Sequence, residues 1–196
     1  MYNRIMTNGH LGVIRKYTFK EMGRSLDLQH DFLHTERVCL NAEKIVKLLN
    51  FEKKIDINLL KAMAYLHDIH FSKVRPGLTA YIWESKILRK ILPKIMDDLL
   101  IDGKERKLIT EAILNHPHSI PFRKLNLGKS IYAKILQDAD SVDFFSKERE
   151  SNLKKSKKVS YIYWFANFFS GVIFQHGRRS MSKFLNFPEI AEHFYR

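Results

Sequence analysis

The chain has 196 residues, of which 45% are hydrophobic and 28% are charged. This length and balance are typical of one globular domain with a sizeable core, and they exclude a disordered or fibrous protein. The formal net charge of +13 favours polyanions, nucleotides or phosphorylated substrates as partners, although a solvated lysine-rich surface would give the same charge.

Cysteine content and hydropathy bear on the compartment. The single cysteine, Cys39, excludes an intramolecular disulfide and a cysteine-rich zinc site. The first twenty residues lack the continuous apolar core of a secretory signal. The longest apolar run, 161–174, falls short of the about 20 residues that span a bilayer. We therefore expect a cytoplasmic protein without a transmembrane segment. The aromatic run suggests peripheral membrane association. The alternatives are that it forms a buried helix or a dimer surface.

Apolar residues recur every three to four positions along four segments, which predicts amphipathic helices. The first helix covers about 34–50. A second stripe runs over 87–95, where Pro93 suggests a kink or a boundary. The third and fourth stripes cover 108–113 and 131–142.

The segment 59–66 is different, because it is apolar nearly all the way round. Such a helix is expected at the centre of a bundle. Asp56 is the predicted N-cap, and the helix leads directly into His67 and Asp68.

Turn residues predict loops at 75–77, 102–103 and 116–128, and the charged stretch Lys147–Lys158 is predicted to be a loop as well. No alternating strand pattern or internal repeat is recognisable. The prediction is one all-α domain of roughly seven to nine helices.

His67 and Asp68 carry the first indication of chemistry. Burial of a carboxylate without a partner costs several kcal/mol, so the end of an apolar helix needs a compensating charge beside Asp68. A divalent metal supplies that charge and takes a neutral imidazole as ligand. The alternative is an exposed histidine–aspartate cap.

Two further motifs flank this doublet. The sequence HDFLHTERV begins at His30, and QDADSVD begins at Gln137. The order H…HD…D, with the first histidine in an HDxxHxxRV context, resembles the HD superfamily of metal-dependent phosphohydrolases, and the small bacterial single-domain members most. The resemblance covers roughly residues 28–145. It implies an all-α HD-domain helical bundle in a single domain over 1–196, with C-terminal helices at 159–195 packed on the core.

The resemblance implies four metal ligands, which are His34, His67, Asp68 and Asp140. Asp138 is the rival of Asp140, and the two side chains point about 200° apart on a helix. Periodicity allows either acid, so Asp140 is chosen by resemblance alone. Two imidazoles and two carboxylates suit one divalent transition metal, Mn, Fe, Ni, Co or Zn, with Mg also open.

The implied activity is hydrolysis of a phosphomonoester or phosphoanhydride, in the first place of a nucleotide, through a metal-activated water. Asp68, Glu84 and Asp138 are the catalytic candidates. No glutamate directly follows the doublet, whereas Glu84 in the segment WESKIL resembles a glutamate on a helix of the family. A surface salt bridge is the alternative role of Glu84.

Basic side chains and histidines near the predicted ligands are candidates for substrate binding, namely His30, Arg37, His70, Lys73, Arg75 and His116. Helix capping together with Asp31 is the alternative for His30. In binuclear relatives additional histidines bind a second metal, and His116 or His118 is the candidate for that role here.

Three alternatives remain at this point. The enzyme is a nucleoside triphosphate pyrophosphohydrolase, or it hydrolyses a signalling nucleotide. In a different class, the chain is an HD-like module that binds nucleic acid through the basic stretch Lys147–Lys158 and keeps a structural metal. The oligomeric state is not readable from the sequence.

Overall fold

The computed structural model describes residues 6–25, 27–75, 77–117, 125, 129–156, 158–159 and 161–195. Over these residues the chain forms ten α-helices, three short 3-10 helices and no β-strand, which confirms the all-α prediction. Eight of the α-helices have ten or more residues. The helices are α1 (Asn8–Met22), α2 (Phe32–Leu48), α3 (Ile57–Leu66), α4 (Leu78–Ile82), α5 (Glu84–Asp98), α6 (Gly103–Asn115), α7 (Ile131–Phe144), α8 (Lys147–Ser156), α9 (Tyr161–Phe168) and α10 (Ser170–Arg179).

Helix α3 lies at the centre of the bundle. It packs against α1, α2, α6 and α7, and all of its residues except Ile57 and Lys61 are buried. Asp56 caps its first turn by accepting hydrogen bonds from the backbone N–H groups of Asn58 and Leu59. The predicted central helix and its N-cap are thus confirmed.

Helices α2 and α7 pack closely against each other and against α3. Asp31 caps α2 by accepting from the backbone N–H of His34 at 2.8 Å, and Ser130 caps α7 by accepting from the N–H of Ala133. From Tyr132 to Asp143 nearly every residue of α7 is buried, the polar ones included. This burial on all sides explains why periodicity alone could not choose between two faces of α7.

The prediction of a loop over the charged stretch is wrong for 147–156, which form α8. Glu148 and Glu150 lie in the first turn of this helix, and Lys154 and Lys155 lie in the last turn. This distribution stabilises a helix, because acidic groups interact favourably with the N-terminal end of the helix dipole and basic groups with the C-terminal end.

Pro93 does not end a helix, since it lies inside α5. Of the predicted loop at 116–128, only His116, Pro117 and Leu125 belong to the described residues, and His118 lies outside them. Among the residues that the structure describes, no helix is both long and apolar enough to cross a bilayer.

The C-terminal elements contact the core mainly through α7 and α8. Asp138 accepts hydrogen bonds from the backbone N–H groups of Asn186 at 2.7 Å and Phe187 at 2.9 Å. Arg178 of α10 donates to the carbonyl oxygen of Phe145 at 3.1 Å. These contacts support the predicted packing of the C-terminal helices, while the single-domain organisation stays a prediction.

Candidate metal centre and substrate site

The four predicted ligands lie together in the core. Nε2 of His34 is 3.1 Å from Nε2 of His67, 3.2 Å from Oδ2 of Asp68 and 3.4 Å from Oδ1 of Asp140. Nε2 of His67 lies 3.3 Å from the same oxygen of Asp68 and 3.9 Å from that of Asp140. All four residues are buried. Helix α2, the end of α3 and helix α7 therefore bring four donor atoms to one point.

Each imidazole of this group is held through its other nitrogen. Nδ1 of His34 lies 2.7 Å from Oδ2 of Asp143, and Nδ1 of His67 lies 2.7 Å from the carbonyl oxygen of Ala64. Since a carbonyl or an ionised carboxylate can only accept, both Nδ1 atoms carry the proton. In the neutral rings the lone pairs on Nε2 consequently face each other and the two carboxylates.

A cation fits this arrangement. The two Nε2 lone pairs lie 3.1 Å apart and 3.2 to 3.9 Å from one oxygen of each carboxylate, and they would repel these groups without a positive charge between them. Ligands bound at about 2.0–2.2 Å lie about 3 Å apart when they are adjacent, close to the spacing of these donors. The mixed nitrogen and oxygen donors suit Mn, Fe, Ni, Co or Zn. His34, His67, Asp68 and Asp140 are thus able to hold a divalent ion.

The site favours the ionised carboxylate of Asp68. Burial by itself would raise the pKa of Asp68, but the charges of His67 and His30 hold this pKa well below its usual range. For His34, burial and the charge of Arg149 lower the pKa, whereas hydrogen bonds to Asp143 and Asp68 raise it to about 8 overall. A proton and a metal ion therefore compete for His34 near neutral pH.

A second group of side chains faces the other oxygen of Asp68. Nε2 of His116 lies 3.5 Å from Oδ1 of Asp68 and 3.3 Å from Oε1 of Glu84, and its Nδ1 lies 2.6 Å from the carbonyl oxygen of Ile113. Burial opposes the charging of His116, but both carboxylates raise its pKa well above the ordinary value. Without a second cation, His116 is therefore an imidazolium held between two acids.

His70 completes this second group. Its nearer ring nitrogen and oxygens of Asp68 and Glu84 all lie within 4.8 Å of one another. Neither ring nitrogen of this buried histidine has a hydrogen-bond partner among the described residues. Burial lowers the pKa of His70 to about 4, so the ring is neutral at physiological pH. A neutral imidazole with open nitrogens can contact a substrate or a second ion here.

Arg149 is a candidate functional residue that the sequence motifs do not indicate. It projects from α8 into the core and is only 3% exposed. Nη2 of Arg149 lies 3.3 Å from Nε2 of His30, and Nε lies 3.9 Å from Oδ2 of Asp143. Its Nε and Nη1 atoms have no hydrogen-bond partner in the described part of the chain. A buried guanidinium with open donors beside a metal site is suited to bind a phosphate group.

His30 lies between Arg149 and the predicted ligands. Its Nδ1 lies 2.9 Å from Oδ2 of Asp27, its ring stacks on Phe71 at 3.9 Å, and its Nε2 lies 3.8 Å from Oδ2 of Asp68. Tyr163 of α9 donates a hydrogen bond to the same oxygen of Asp27. The cap of α2 is formed by Asp31, so the alternative role of His30 in capping is not supported.

Four predicted site residues do not contact the four donor atoms directly. Asp138 binds backbone N–H groups of the C-terminal segment and does not face the four donors. Arg37 donates to Asp143 at 2.5 Å and thereby holds the partner of His34. Lys73 pairs with Glu21, and Arg75 is exposed.

Comparison with known proteins identifies the family. The model of the HD domain matches residues 31–144, more than half of the chain. The match includes His34, His67, Asp68 and Asp140, and it ends before Arg149. No curated protein and no solved structure matches the chain. The resemblance seen in the sequence motifs is confirmed, and the chain belongs to the HD domain family.

Proposed function

We propose that the protein is a metal-dependent phosphohydrolase that cleaves a phosphomonoester or a phosphoanhydride, in the first place that of a nucleotide. The observation that carries the proposal is the position of the buried guanidinium of Arg149 next to the four donors. A purely structural metal site would need no buried guanidinium with open donors beside it, because a buried polar donor without a hydrogen-bond partner costs about 1–3 kcal/mol.

In this proposal His34, His67, Asp68 and Asp140 hold the metal. When bound, a divalent cation lowers the pKa of a water molecule and withdraws charge from a phosphoryl oxygen. Asp143 and the carbonyl oxygen of Ala64 keep the two imidazoles in the ligating orientation.

Phosphate binding is assigned to Arg149 and His30. The free Nε and Nη1 atoms of Arg149 offer two donors for phosphate oxygens. Nε2 of His30 lies between Arg149 and Asp68, which places a third polar atom on the same side of the donors. The guanidinium of Arg149 neutralises part of the charge that stays on the phosphate during the reaction.

Proton transfer is assigned to the pair of Glu84 and His116. The raised pKa of His116 keeps a proton on Nε2, at 3.3 Å from Glu84 and 3.5 Å from Asp68. A group in this state can protonate the leaving oxygen, and Glu84 can accept the proton that the attacking water loses and pass it back to His116. His70, neutral and without a partner, is assigned a contact to the substrate on the same side.

The test uses the full chain, stripped of metal with a chelator and reloaded with Mn, Fe, Ni, Co, Zn or Mg. Nucleoside mono- and triphosphates and p-nitrophenyl phosphate are offered, and phosphate and pyrophosphate are measured separately. We expect phosphate release that Asp68→Ala abolishes and that Asp97→Asn, at an exposed acid, retains. Inactivity of the fully metal-loaded protein on every substrate would contradict the proposal.

Two other outcomes would redirect the assignment. Release of pyrophosphate from triphosphates would make the enzyme a pyrophosphohydrolase. Salt-dependent binding of an oligonucleotide without any hydrolysis would favour the nucleic-acid-binding module. Arg149 does not support that second class, because its buried side chain is not accessible to a polynucleotide.

A further inference from the structure

Helices α9 and α10 present large apolar side chains to solvent. Seven residues of this segment, between 39% and 79% exposed, form what we call the aromatic surface, and they are Tyr161, Trp164, Phe165, Phe168, Phe169, Val172 and Ile173. The sequence alternative of a buried helix is therefore wrong for these side chains. Contiguous exposed apolar groups on a monomer mark an interaction surface.

The aromatic surface is one stripe, and the opposite side of both helices is fixed to the core. The rings of Phe165 and Phe168, near the end of α9, lie 5.3 and 5.6 Å from the ring of Phe169, which precedes α10, so the exposed side chains continue across the break between the two helices. On the other side, Tyr163 bonds to Asp27, and the ring of Phe174 stacks on Phe144 at 5.8 Å. The core contacts hold the two helices in place and leave the stripe facing outward.

All charged residues in the sequence interval that carries the aromatic surface are basic. No acidic residue occurs between Glu150 and Glu189, whereas this interval holds seven lysine and arginine residues. Lys154 and Arg178 pair with Glu150. Four further basic side chains are exposed, and no acid of the described residues lies within ion-pair distance of them: Lys155, Lys158, Arg179 and Lys183.

We propose that the aromatic surface and these four basic residues bind the protein peripherally to an anionic membrane surface. Tryptophan, tyrosine and phenylalanine side chains favour the interface between headgroups and acyl chains. Each lysine or arginine near an anionic leaflet adds to the attraction, and salt weakens this contribution. Two copies that met at this surface would bring like charges together, so charge complementarity selects the lipid surface over a dimer. This proposal does not depend on the phosphohydrolase activity.

The test is sedimentation of the full chain with vesicles of phosphatidylcholine alone and of phosphatidylcholine mixed with phosphatidylglycerol. We expect binding to the anionic vesicles only, weakened by salt. Trp164 supplies a second readout, because Trp83→Phe makes it the only tryptophan of the chain. Its emission should shift to shorter wavelength when the anionic vesicles are added.

Two double variants separate the contributions. Phe165→Ser with Phe168→Ser removes apolar area, and Lys155→Glu with Lys158→Glu reverses charge. We expect each pair to weaken vesicle binding at least about tenfold. The matched controls, which should bind like the parent protein, are Leu40→Ser and the pair Lys90→Glu with Lys94→Glu, all at exposed positions of other helices.

All of the altered side chains are exposed, so an unchanged circular dichroism spectrum and melting temperature should accompany the loss of binding. Failure of the parent protein to bind anionic vesicles would overturn the proposal. A dimer in light scattering that the Phe165→Ser, Phe168→Ser pair dissociates, without vesicle binding, would assign the surface to a second copy. Oligonucleotide binding that depends on the same lysines, without vesicle binding, would assign it to nucleic acid.

Discussion

The Nε2 atoms of His34 and His67 face each other at 3.1 Å in the core, and neither ring is free to turn away. The first ring is held by Asp143 and the second by the carbonyl oxygen of Ala64. Asp68 and Asp140 add two carboxylate oxygens to the same small volume. This arrangement is unfavourable by itself and favourable around a cation, so metal binding and stability should be coupled.

Metal should raise the melting temperature of the folded chain. At a metal concentration of about 100 times Kd, binding to the native state alone adds about 2.7 kcal/mol. For a chain of this size each kcal/mol shifts Tm by about 2–4 °C, so a shift of roughly 5–11 °C is expected. Differential scanning fluorimetry with chelator and with each metal measures it, and Asp68→Ala should abolish the difference. An identical Tm in both conditions would show that the four donors bind no metal.

Asp140 and Asp138 should behave differently. Asp140→Asn is expected to lose the metal, because Oδ1 of Asp140 faces both histidines. Asp138→Asn is expected to keep the metal and to lower stability by about 1–3 kcal/mol, because two backbone N–H groups lose an ionised acceptor. Metal content of the purified variants and urea denaturation separate the two effects. Full metal in Asp140→Asn with none in Asp138→Asn would reverse the assignment.

Metal affinity should depend on pH through His34. Hydrogen bonds to Asp143 and Asp68 raise the pKa of His34 to about 8 in the absence of metal, so below that pH a proton must leave before a metal binds. Protonation of His34 alone should lower the affinity for the metal about tenfold for each pH unit below about 8. Titration calorimetry at several pH values measures this slope. In Asp143→Asn, the pH below which the metal affinity begins to fall should be lower. A metal affinity that does not change with pH in the parent protein would contradict the assigned protonation of His34.

The same pKa has the opposite consequence for the metal-free protein. A histidine whose pKa is raised on folding contributes stability that is fully present below its unfolded value of about 6.5 and is lost as the pH rises through about 8. The metal-free chain should therefore lose stability over this interval, while the metal-loaded chain gains affinity. Melting curves of both forms between these pH values provide the comparison.

Replacement of Arg149 should weaken phosphate binding and leave the stability of the fold nearly unchanged. Arg149→Met retains most of the side-chain volume and removes two buried donors without partners, while Asp143 keeps His34 and Arg37 as partners, so we expect little loss of stability. The value of kcat/KM should fall about 100- to 1000-fold, and inhibition by inorganic phosphate should weaken. Metal content should not change, because Arg149 ligates nothing. Unchanged phosphate inhibition in a folded, metal-loaded variant would exclude the assigned role.

Gly177 should be sensitive to a single methyl group. A Cβ at this position would lie 2.0 Å from the nearest ring atom of Phe145, which is itself buried. Gly177→Ala should therefore cost about 1–3 kcal/mol by displacing this ring, despite the higher helix propensity of alanine. Gly171→Ala in the same helix meets no atom within 4 Å and is the matched control. Denaturation of the two variants tests how firmly α10 is packed.

The sequence predicts best where pattern and burial coincide. Helix α3 is apolar on every side and capped by Asp56, so its central position and its N-terminus follow from residue types alone. The four predicted metal ligands come from the resemblance to HD proteins, and the structure brings their donor atoms together. The choice between Asp138 and Asp140 does not follow, because both lie on a helix that is buried all round and no polar face distinguishes them.

The role of Arg149 could not be predicted from the sequence for a related reason. A buried arginine does not register in a hydrophobic pattern, and its neighbours in α8 are charged. The signal was the spacing of Arg149, Leu153 and Ser156, the three buried residues of α8, at intervals of four and three positions. The sequence also leaves open whether the aromatic run is buried or exposed, because apolar composition fits a buried helix, a dimer surface and a membrane-binding surface alike. In both cases the position in the fold, and not the residue type, determines whether the side chain is buried.

The distance along the chain between His34 and Asp140 has a consequence for biosynthesis. The first three donors are made early, but the fourth lies in α7, more than a hundred residues after the first. A nascent chain that ends before α7 holds three donors and lacks the helix that packs along α2. Because α8 follows still later, the chain acquires its four predicted metal ligands before it acquires the arginine assigned to phosphate binding.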